Sequence, residues 1–477
     1  MANDHPFYLA GRWERSSEPL LVTNPWDGSA VGSTWLANEA QVEQATAAAV
    51  RTAAIMRDLP AYERGAILAR AAAVLARRRD EIGRILAAEA GKPIRDALTE
   101  VDRAAMTFQV SSEEARRIGG EVIPLDLAPH GRGRFAIVRR FPIGPVAAIS
   151  PFNYPLNLSA HKLGPAVAAG NPVVLKPATK TPLAALLLAS ALEEAGLPAG
   201  GLSVLPMSRP LGDRLVTDER FKLLTFTGSS AVGWAMKARA GKKKVILELG
   251  GNAGVIVDES ADIAWAAKRV ASGGFVYAGQ SCISVQRVYV HRGIYGEFAR
   301  QLVARVTALV VGDPLDPSTD IGPMIDAGEV DRIEAWVSEA IADGARVLTG
   351  GRRISQSAYA PTVLEGVPET ARVCSQEVFA PLVALYPFSD FDEAVSAVNR
   401  SRYGLQAGVF TNDLPHTLTA YERLETGGVI INDVSTYRID HMPYGGVKDS
   451  GVGREGPRYT IEEMTEPRLL VINREIG

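Results

Sequence analysis

Cysteine is nearly absent from the chain: Cys282 and Cys374 are the only two in 477 residues. Two thiols make no disulfide framework, which excludes a stapled extracellular fold and leaves a reducing, cytoplasmic compartment as the expectation. Histidine is scarce too, and the six present include no pair at metal-ligand spacing, so no metal is expected. No stretch approaches the roughly 18 uninterrupted apolar residues of a membrane helix. The start, "MANDHPFYLAGRWERSS", has no basic head followed by an apolar run, so neither secretion nor membrane spanning is expected. Neither sign of charge dominates. With 51 basic and 54 acidic residues the chain creates no field for nucleic acid or anionic lipid, and the runs "RRR" (77–79) and "GKKK" (241–244) read as solvated ends of elements.

What is there is a long α/β pattern with apolar material for two domains or one elaborated domain. From residue 135 onward, β-branched runs alternate with alanine-rich stretches, as a parallel sheet with crossover helices requires. "PVAAIS" (145–150), "NPVVLKP" (171–177), "LSVLP" (202–206), "KLLTFTG" (222–228) and "KVILELGG" (244–251) read as strands, with helices over 155–169, 181–196 and 229–240. The apolar runs are nearly continuous, which suits strands buried on both faces of a doubly wound, nucleotide-binding sheet. After Gly251 a second series runs from "AGVIVD" to "GGVIIND" (427–433) and predicts a second α/β domain. The stretches 41–91 and 95–118 read as helical. No low-complexity linker separates the parts, so a broad interface with the active site in its cleft is expected.

Several residues in this frame carry chemistry. Gly228 and Ser229 stand where a strand runs into a helix, so backbone N–H groups there can face a phosphate, although glycine and serine serve equally as ordinary caps. The GxGxxG fingerprint is missing, which disfavours a dehydrogenase with the usual glycine loop. Glu248 ends an apolar strand. A carboxylate buried there is either a general base with a raised pKa or the cap of the next turn. Cys282 lies in the polar loop "GQSCIS" (279–284), a setting that can ionise a thiol, whereas Cys374 has none comparable. Asn153, at the end of the first strand, is an oxyanion donor or a turn residue, and Lys176 reaches ribose and phosphate oxygens or snorkels to solvent.

Together these signals resemble the aldehyde dehydrogenase superfamily over nearly the full chain. "SPFNYP", "LKPAT", "FTGSSAVG", "LELGGN", "GQSC", "QEVFAP" and "PYGGVKDSGVGREG" occur in that family's order and at approximately its separations. The resemblance implies a Rossmann-type cofactor-binding domain (1–118 and 141–247), a second α/β catalytic domain (248–450) and a small β arm (119–140, with the C-terminal segment 451–477) that extends a neighbouring subunit's sheet. A homodimer or homotetramer follows from such an arm.

The resemblance also implies the chemistry. Cys282 would attack a small aldehyde, Asn153 and the Cys282 N–H would hold the oxyanion, and Glu248 would activate water against the thioester. NAD or NADP would lie against Ser150, Pro151, Phe152, Lys176, Gly228, Ser229, Gly250, Glu377 and Phe379. Members that pass the acyl group to coenzyme A generally lack the acid at Glu248, so a carboxylate product is favoured; a semialdehyde dehydrogenase and a non-catalytic member of the same fold are the alternatives. Thr179 departs from many NAD-using relatives, which carry a glutamate there, and Lys180 and Arg209 supply positive charge nearby, so both cofactors are expected to be accepted. Arg103 and Tyr154 match positions that bind the anionic tail in non-phosphorylating glyceraldehyde-3-phosphate dehydrogenases, but Ser281 stands where that subfamily has an arginine. Arg438 is either a pocket or a surface residue, and Arg287 and His441 have no assigned place. A hydroxyaldehyde such as lactaldehyde, or a short aldehyde carrying carboxylate, phosphate, phosphonate or sulfonate, is the expected substrate.

Overall fold

The computed structural model describes residues 3–474; the last three residues of the expected C-terminal segment lie outside them. Five parallel strands, Leu202–Val204, Val173–Lys176, Val146–Ile149, Leu223–Thr227 and Lys244–Glu248, stand in that spatial order, so the chain starts in the middle of the sheet and winds outward in both directions. Such a sheet places its ligand crevice beyond the carboxyl ends of the central strands, where the winding reverses. The register puts Ile149 opposite both Lys176 and Phe226, and Thr227 opposite Glu248. Ser150, Pro177, Gly228 and Leu249 therefore all leave the sheet along one rim.

The parallel strands follow the reading from sequence. The sheet's outer members go beyond it. Phe7–Leu9 and Arg12–Glu14 add antiparallel strands on one side, and Gly451–Val452 adds one beside Lys244–Glu248 on the other. The N-terminal pair turns at Ala10 and Gly11, both with positive φ (50° and 97°), the backbone a tight two-residue hairpin requires. The helical stretch 41–91 resolves into three helices, Glu39–Asp58, Ala61–Arg77 and Arg79–Ala90. Its first break falls at Leu59, which Pro60 excludes from helical backbone.

The second sheet has seven strands in the order Arg346–Thr349, Thr362–Glu365, Leu382–Phe388, Val285–His291, Ala253–Val257, Gln406–Phe410, Gly428–Ile431, all parallel except the first pair. Only residues 249–252 link the last parallel strand of the first sheet to Ala253–Val257, which pairs with Val285–His291 just after Cys282. Each sheet packs around its own apolar core. Tyr277 crosses between them. It precedes the thiol by five positions but is fully buried in the first core, with its hydroxyl donating to Ala90 O at 2.7 Å. A third sheet, Gly120–Pro124, Arg134–Pro142 and Thr465–Asn473, is antiparallel and stands apart, with most residues of its last strand exposed. Among the described residues no helix is long and apolar enough to cross a membrane.

Candidate active site

Chain geometry brings Cys282 beside Glu248. Gly251 follows Glu248 closely, and a Cβ there would stand 2.1 Å from the Cys282 carbonyl oxygen, so only glycine admits the thiol loop. The loop enters through Tyr277, Ala278 and Gly279 with φ of 50°, 53° and 69°. Left-handed backbone at two non-glycine residues in succession is costly. Burial of Tyr277 and the bonds of Gln280 hold it: Gln280 Oε1 accepts from Ile325 N at 2.9 Å.

Cys282 is half-buried, and its Sγ lies 3.2 Å from the Tyr444 hydroxyl. Burial pushes the thiol up to about 12, with the Tyr444 hydrogen bond acting the other way. The Asn153 amide donates to the Gln280 carbonyl at 2.9 Å, which uses one of its two hydrogens and leaves the other for a ligand. Glu248 is 3% exposed. Both its carboxylate oxygens are buried with no hydrogen-bond partner. Its pKa is raised well above the usual range, by burial first and then by the charge of Glu455.

Behind Glu248 lies a buried polar cluster that the sequence did not disclose. Lys162 donates to Thr227 at 2.7 Å and Thr225 at 3.1 Å, and its ammonium stands 3.3 Å from Glu455. Arg438 reaches the other oxygen of Glu455 at 3.1 Å, lies 3.3 Å from His161 Nε2, and covers the Tyr444 ring with its guanidinium 3.6 Å from the centroid. Against the effect of burial, the charges of Lys162 and Arg438 hold Glu455 down to about 2. His161 Nε2 lies 2.9 Å from Asp440, which also takes a forked pair of bonds from Arg103 at 2.8 and 3.1 Å and one from Asn157 at 2.9 Å. A signal for part of this existed: "AHKLG" (160–164) puts a histidine and a lysine inside a helix, Asn157–Ala169, every residue of which is buried.

The residues read as cofactor-binding line the rim. Phe152 and Phe379 form an edge-to-face pair 5.9 Å apart. Glu377 accepts from Gly251 N at 3.0 Å, and a Cβ on Gly250 would fall 2.3 Å from its carboxylate. Burial raises Glu377 to about 7. Ser229 caps the helix Ser230–Arg239 without a side-chain bond, and the buried Ser230 hydroxyl has no partner. Uncapped N–H groups with an orphaned hydroxyl fit a pyrophosphate. The Lys176 stem packs on Gly212, and burial, then the nearby Arg209 charge, lowers its pKa to about 8. Ser150 is buried and accepts from Ser159 at 3.0 Å. Pro151 is half-buried, and Thr179 and Arg209 are exposed. Lys180 points its ammonium to Asp326, 3.3 Å away.

On the substrate side, Tyr154 feels the charges of both Arg103 and Cys282, and burial raises its pKa. Lys92, fully buried with Glu100 as its partner, sits 3.5 Å above the Tyr154 ring and 4.6 Å from that of Tyr277. Arg438 has 6% of its side chain exposed, so its guanidinium lies in the interior. Ser281 lines a small cavity with Glu377 and Phe379. Arg287 is consumed by the second core, donating to Asn252, Tyr289, Ala397 and Val398, and His441 is exposed. Among the described residues no group of three or more histidine, cysteine or acidic side chains could hold a metal.

A half-buried thiol beside an unpartnered carboxylate, at the rim of a doubly wound sheet with a phosphate-ready helix start, defines a nucleotide-dependent oxidoreductase class. The sequence matches the aldehyde dehydrogenase family over residues 13–470, and the chain belongs to that family, whose members use NAD or NADP. It is 48% identical over 467 residues to a 3-sulfolactaldehyde dehydrogenase of Priestia aryabhattai, covering 98% of this chain and 97% of that one. Among solved structures, it superposes with TM-score 0.98 and 46% identity on aldehyde dehydrogenase 21 from Physcomitrella patens in complex with the reaction product succinate, over 100% of both chains. It superposes with TM-score 0.92 and 38% identity on glyceraldehyde-3-phosphate dehydrogenase GapN from Methanocaldococcus jannaschii complexed with NADP, over 96% of this chain and 100% of that one.

Proposed function

We propose that the chain oxidises a short aldehyde bearing an anionic group two carbons beyond the aldehyde carbon, and releases the carboxylic acid. The observation that carries this is the charge balance behind the thiol. Arg103, Arg438 and Lys162 face two ionised carboxylates, Asp440 and Glu455, while Glu248 is held toward its neutral form. Arg438 shares Glu455 with Lys162, and its Nε is buried with no partner. Buried charge left without a counter-ion is costly, and an anionic substrate tail would supply one. The relatives agree in kind, since sulfolactaldehyde and the semialdehyde of succinate both carry their anion at that distance.

In this reading Cys282 attacks the carbonyl carbon, and the free Asn153 hydrogen and the Cys282 N–H receive the oxyanion. NAD or NADP, when bound in the cleft, would supply the hydride acceptor. Glu248 then takes a proton from water, which attacks the thioester on Cys282 and frees the acid. Glu377 would hold the nicotinamide ribose, Phe152 and Phe379 would flank the cleft, and Lys176 with Ser229 would meet the adenosine ribose and pyrophosphate. Of the two cations beyond Lys176, Arg209 is the one to meet a 2′-phosphate, because Lys180 is drawn to Asp326. We assign residues 1–118 and 141–247 to cofactor binding, 248–450 to catalysis, and 119–140 with 451–477 to the arm and C-terminal segment. That arm joins two or four copies, and the two free thiols suit the cytoplasm.

An aldehyde panel run with each cofactor tests the substrate class. 3-Sulfolactaldehyde and succinic semialdehyde are expected to exceed neutral aldehydes of similar size at least about tenfold in kcat/KM, a difference of about 1.4 kcal/mol. Arg103→Gln is expected to raise KM for the anionic substrates and leave butanal unchanged. Equal effects on both would refute the anion site.

A further inference from the structure

Tyr444 is the hydrogen-bond partner of the reactive sulfur, yet neither oxidation nor hydrolysis as derived above uses it. Its position is fixed on three sides. Reciprocal backbone bonds tie it to Glu455, Tyr444 N to Glu455 O at 3.0 Å and Glu455 N to Tyr444 O at 2.6 Å. The Arg438 guanidinium covers its ring at 3.6 Å, and its side chain is buried. The hydroxyl is thereby held 3.2 Å from Cys282 Sγ. The charged and titratable groups that act on the sulfur are Tyr444, Glu377, Glu248 and Arg438, with Tyr154 also within reach; on the phenol they are Cys282, Arg438 and Glu248. Of these, Glu377 and Glu248 oppose the thiolate, whereas Tyr444 and Arg438 favour it.

We propose that Tyr444 is a catalytic residue whose hydroxyl donates to the Cys282 thiolate and stabilises it before the carbon–sulfur bond forms. While sulfur keeps its proton, the S–H can point at the phenol oxygen. When the proton leaves for solvent water, the phenol turns its own hydrogen to sulfur, and no heavy atom has to move. The phenol retains its proton throughout. As sulfur bonds to the aldehyde carbon, the carbonyl pair moves to oxygen and the charge passes from the Tyr444 bond to the oxyanion donors. The cation above the ring draws density from the phenol and strengthens its O–H as a donor. The thiol stands among two carboxylates, and one Asn153 hydrogen is already committed to Gln280, so the Tyr444 hydroxyl is the donor held against sulfur.

The proposal rests on Cys282 as the nucleophile, and the test separates the two. Alkylation of the cofactor-free enzyme by iodoacetamide, followed against pH with Cys282→Ser as the background for Cys374, reports the Cys282 thiolate directly. Tyr444→Phe, which keeps the ring under Arg438, is expected to slow alkylation about tenfold or more at pH 8 and to raise the pH midpoint, the effect of losing a hydrogen bond to a charged group. Difluorotyrosine at position 444, a stronger donor of nearly the same shape, is expected to lower the midpoint, which a purely packing role would not do. An unchanged profile in both variants overturns the role of Tyr444. Aldehyde turnover retained by Cys282→Ser overturns the nucleophile instead, whatever the alkylation profile shows.

Discussion

Glu248 is a carboxyl group whose surroundings resist its charged form. It ends a strand with both oxygens buried and unpartnered, and a Cβ on Gly445 would stand 2.8 Å from one of them. A raised pKa means that the carboxylate, the form able to take a proton from water, becomes populated only as pH climbs past the usual acid range. Thioester hydrolysis is therefore expected to accelerate with rising pH above the usual carboxylate range. Glu248→Gln should lack that limb, give one rapid equivalent of reduced cofactor per site, and then turn over about a hundredfold more slowly, the lower end of what a general base contributes. Stopped-flow absorbance of the reduced cofactor reads both phases, and wild-type steady-state turnover in the variant would remove Glu248 from the mechanism.

At the scale of elements, the cleft is held by ion pairs at helix starts. Glu100, on the helix Ile94–Ala115, accepts from Leu156 N and Asn157 N at 3.0 and 3.1 Å and pairs with Lys92. Lys92 in turn covers Tyr154 and Tyr277, the neighbours of Asn153 and of the thiol loop. Three segments distant in sequence meet at that one ammonium. Removing one member of a buried pair leaves the other uncompensated, so Lys92→Met is expected to cost about 3 kcal/mol of stability, measured by urea unfolding. Lys92→Met combined with Glu100→Gln should recover part of it, because the second change removes the stranded charge. A cost below about 1 kcal/mol, the range of an exposed pair, would mean that the pair does not hold the loops.

At the scale of the whole molecule, the arm carries exposed apolar side chains on an unpaired strand edge. Leu469, Leu470, Val471 and Ile472 are 56, 57, 45 and 36% exposed, successive residues that point to both faces of the strand. Thr465–Asn473 pairs with Arg134–Pro142 on one side only, and Gly428–Ile431 is the last strand of the second sheet. Unpaired, apolar strand edges are covered in stable proteins, and a second copy offers both the edge and the apolar surface. Leu470→Asp is expected to shift the assembly to smaller species in light scattering while leaving the single-chain fold intact by circular dichroism. A monomer in the wild type, or an unchanged assembly in the variant, would contradict the arm's role.

The strands, the crossover helices and the positions of Cys282, Glu248 and Asn153 were legible because each depends on a local pattern: an apolar run, a break of small residues, a polar side chain at the end of a strand. The two-residue hairpin of Ala10 and Gly11 was equally local, but it lay in a short N-terminal segment without a strong strand pattern. What only the tertiary structure decided is which charges meet. Asp440 gathers Arg103 and His161 from 337 and 279 residues away, and Tyr444 reaches the thiol across 162. No local periodicity encodes such meetings, because they follow from how two sheets and their helices pack. Burial, and with it the raised pKa of Glu248 and of the Cys282 thiol, is likewise a property of the packed whole. The sequence by itself determined the family and where Cys282, Glu248 and Asn153 stand along the chain; the packing decided the electrostatic setting in which they meet.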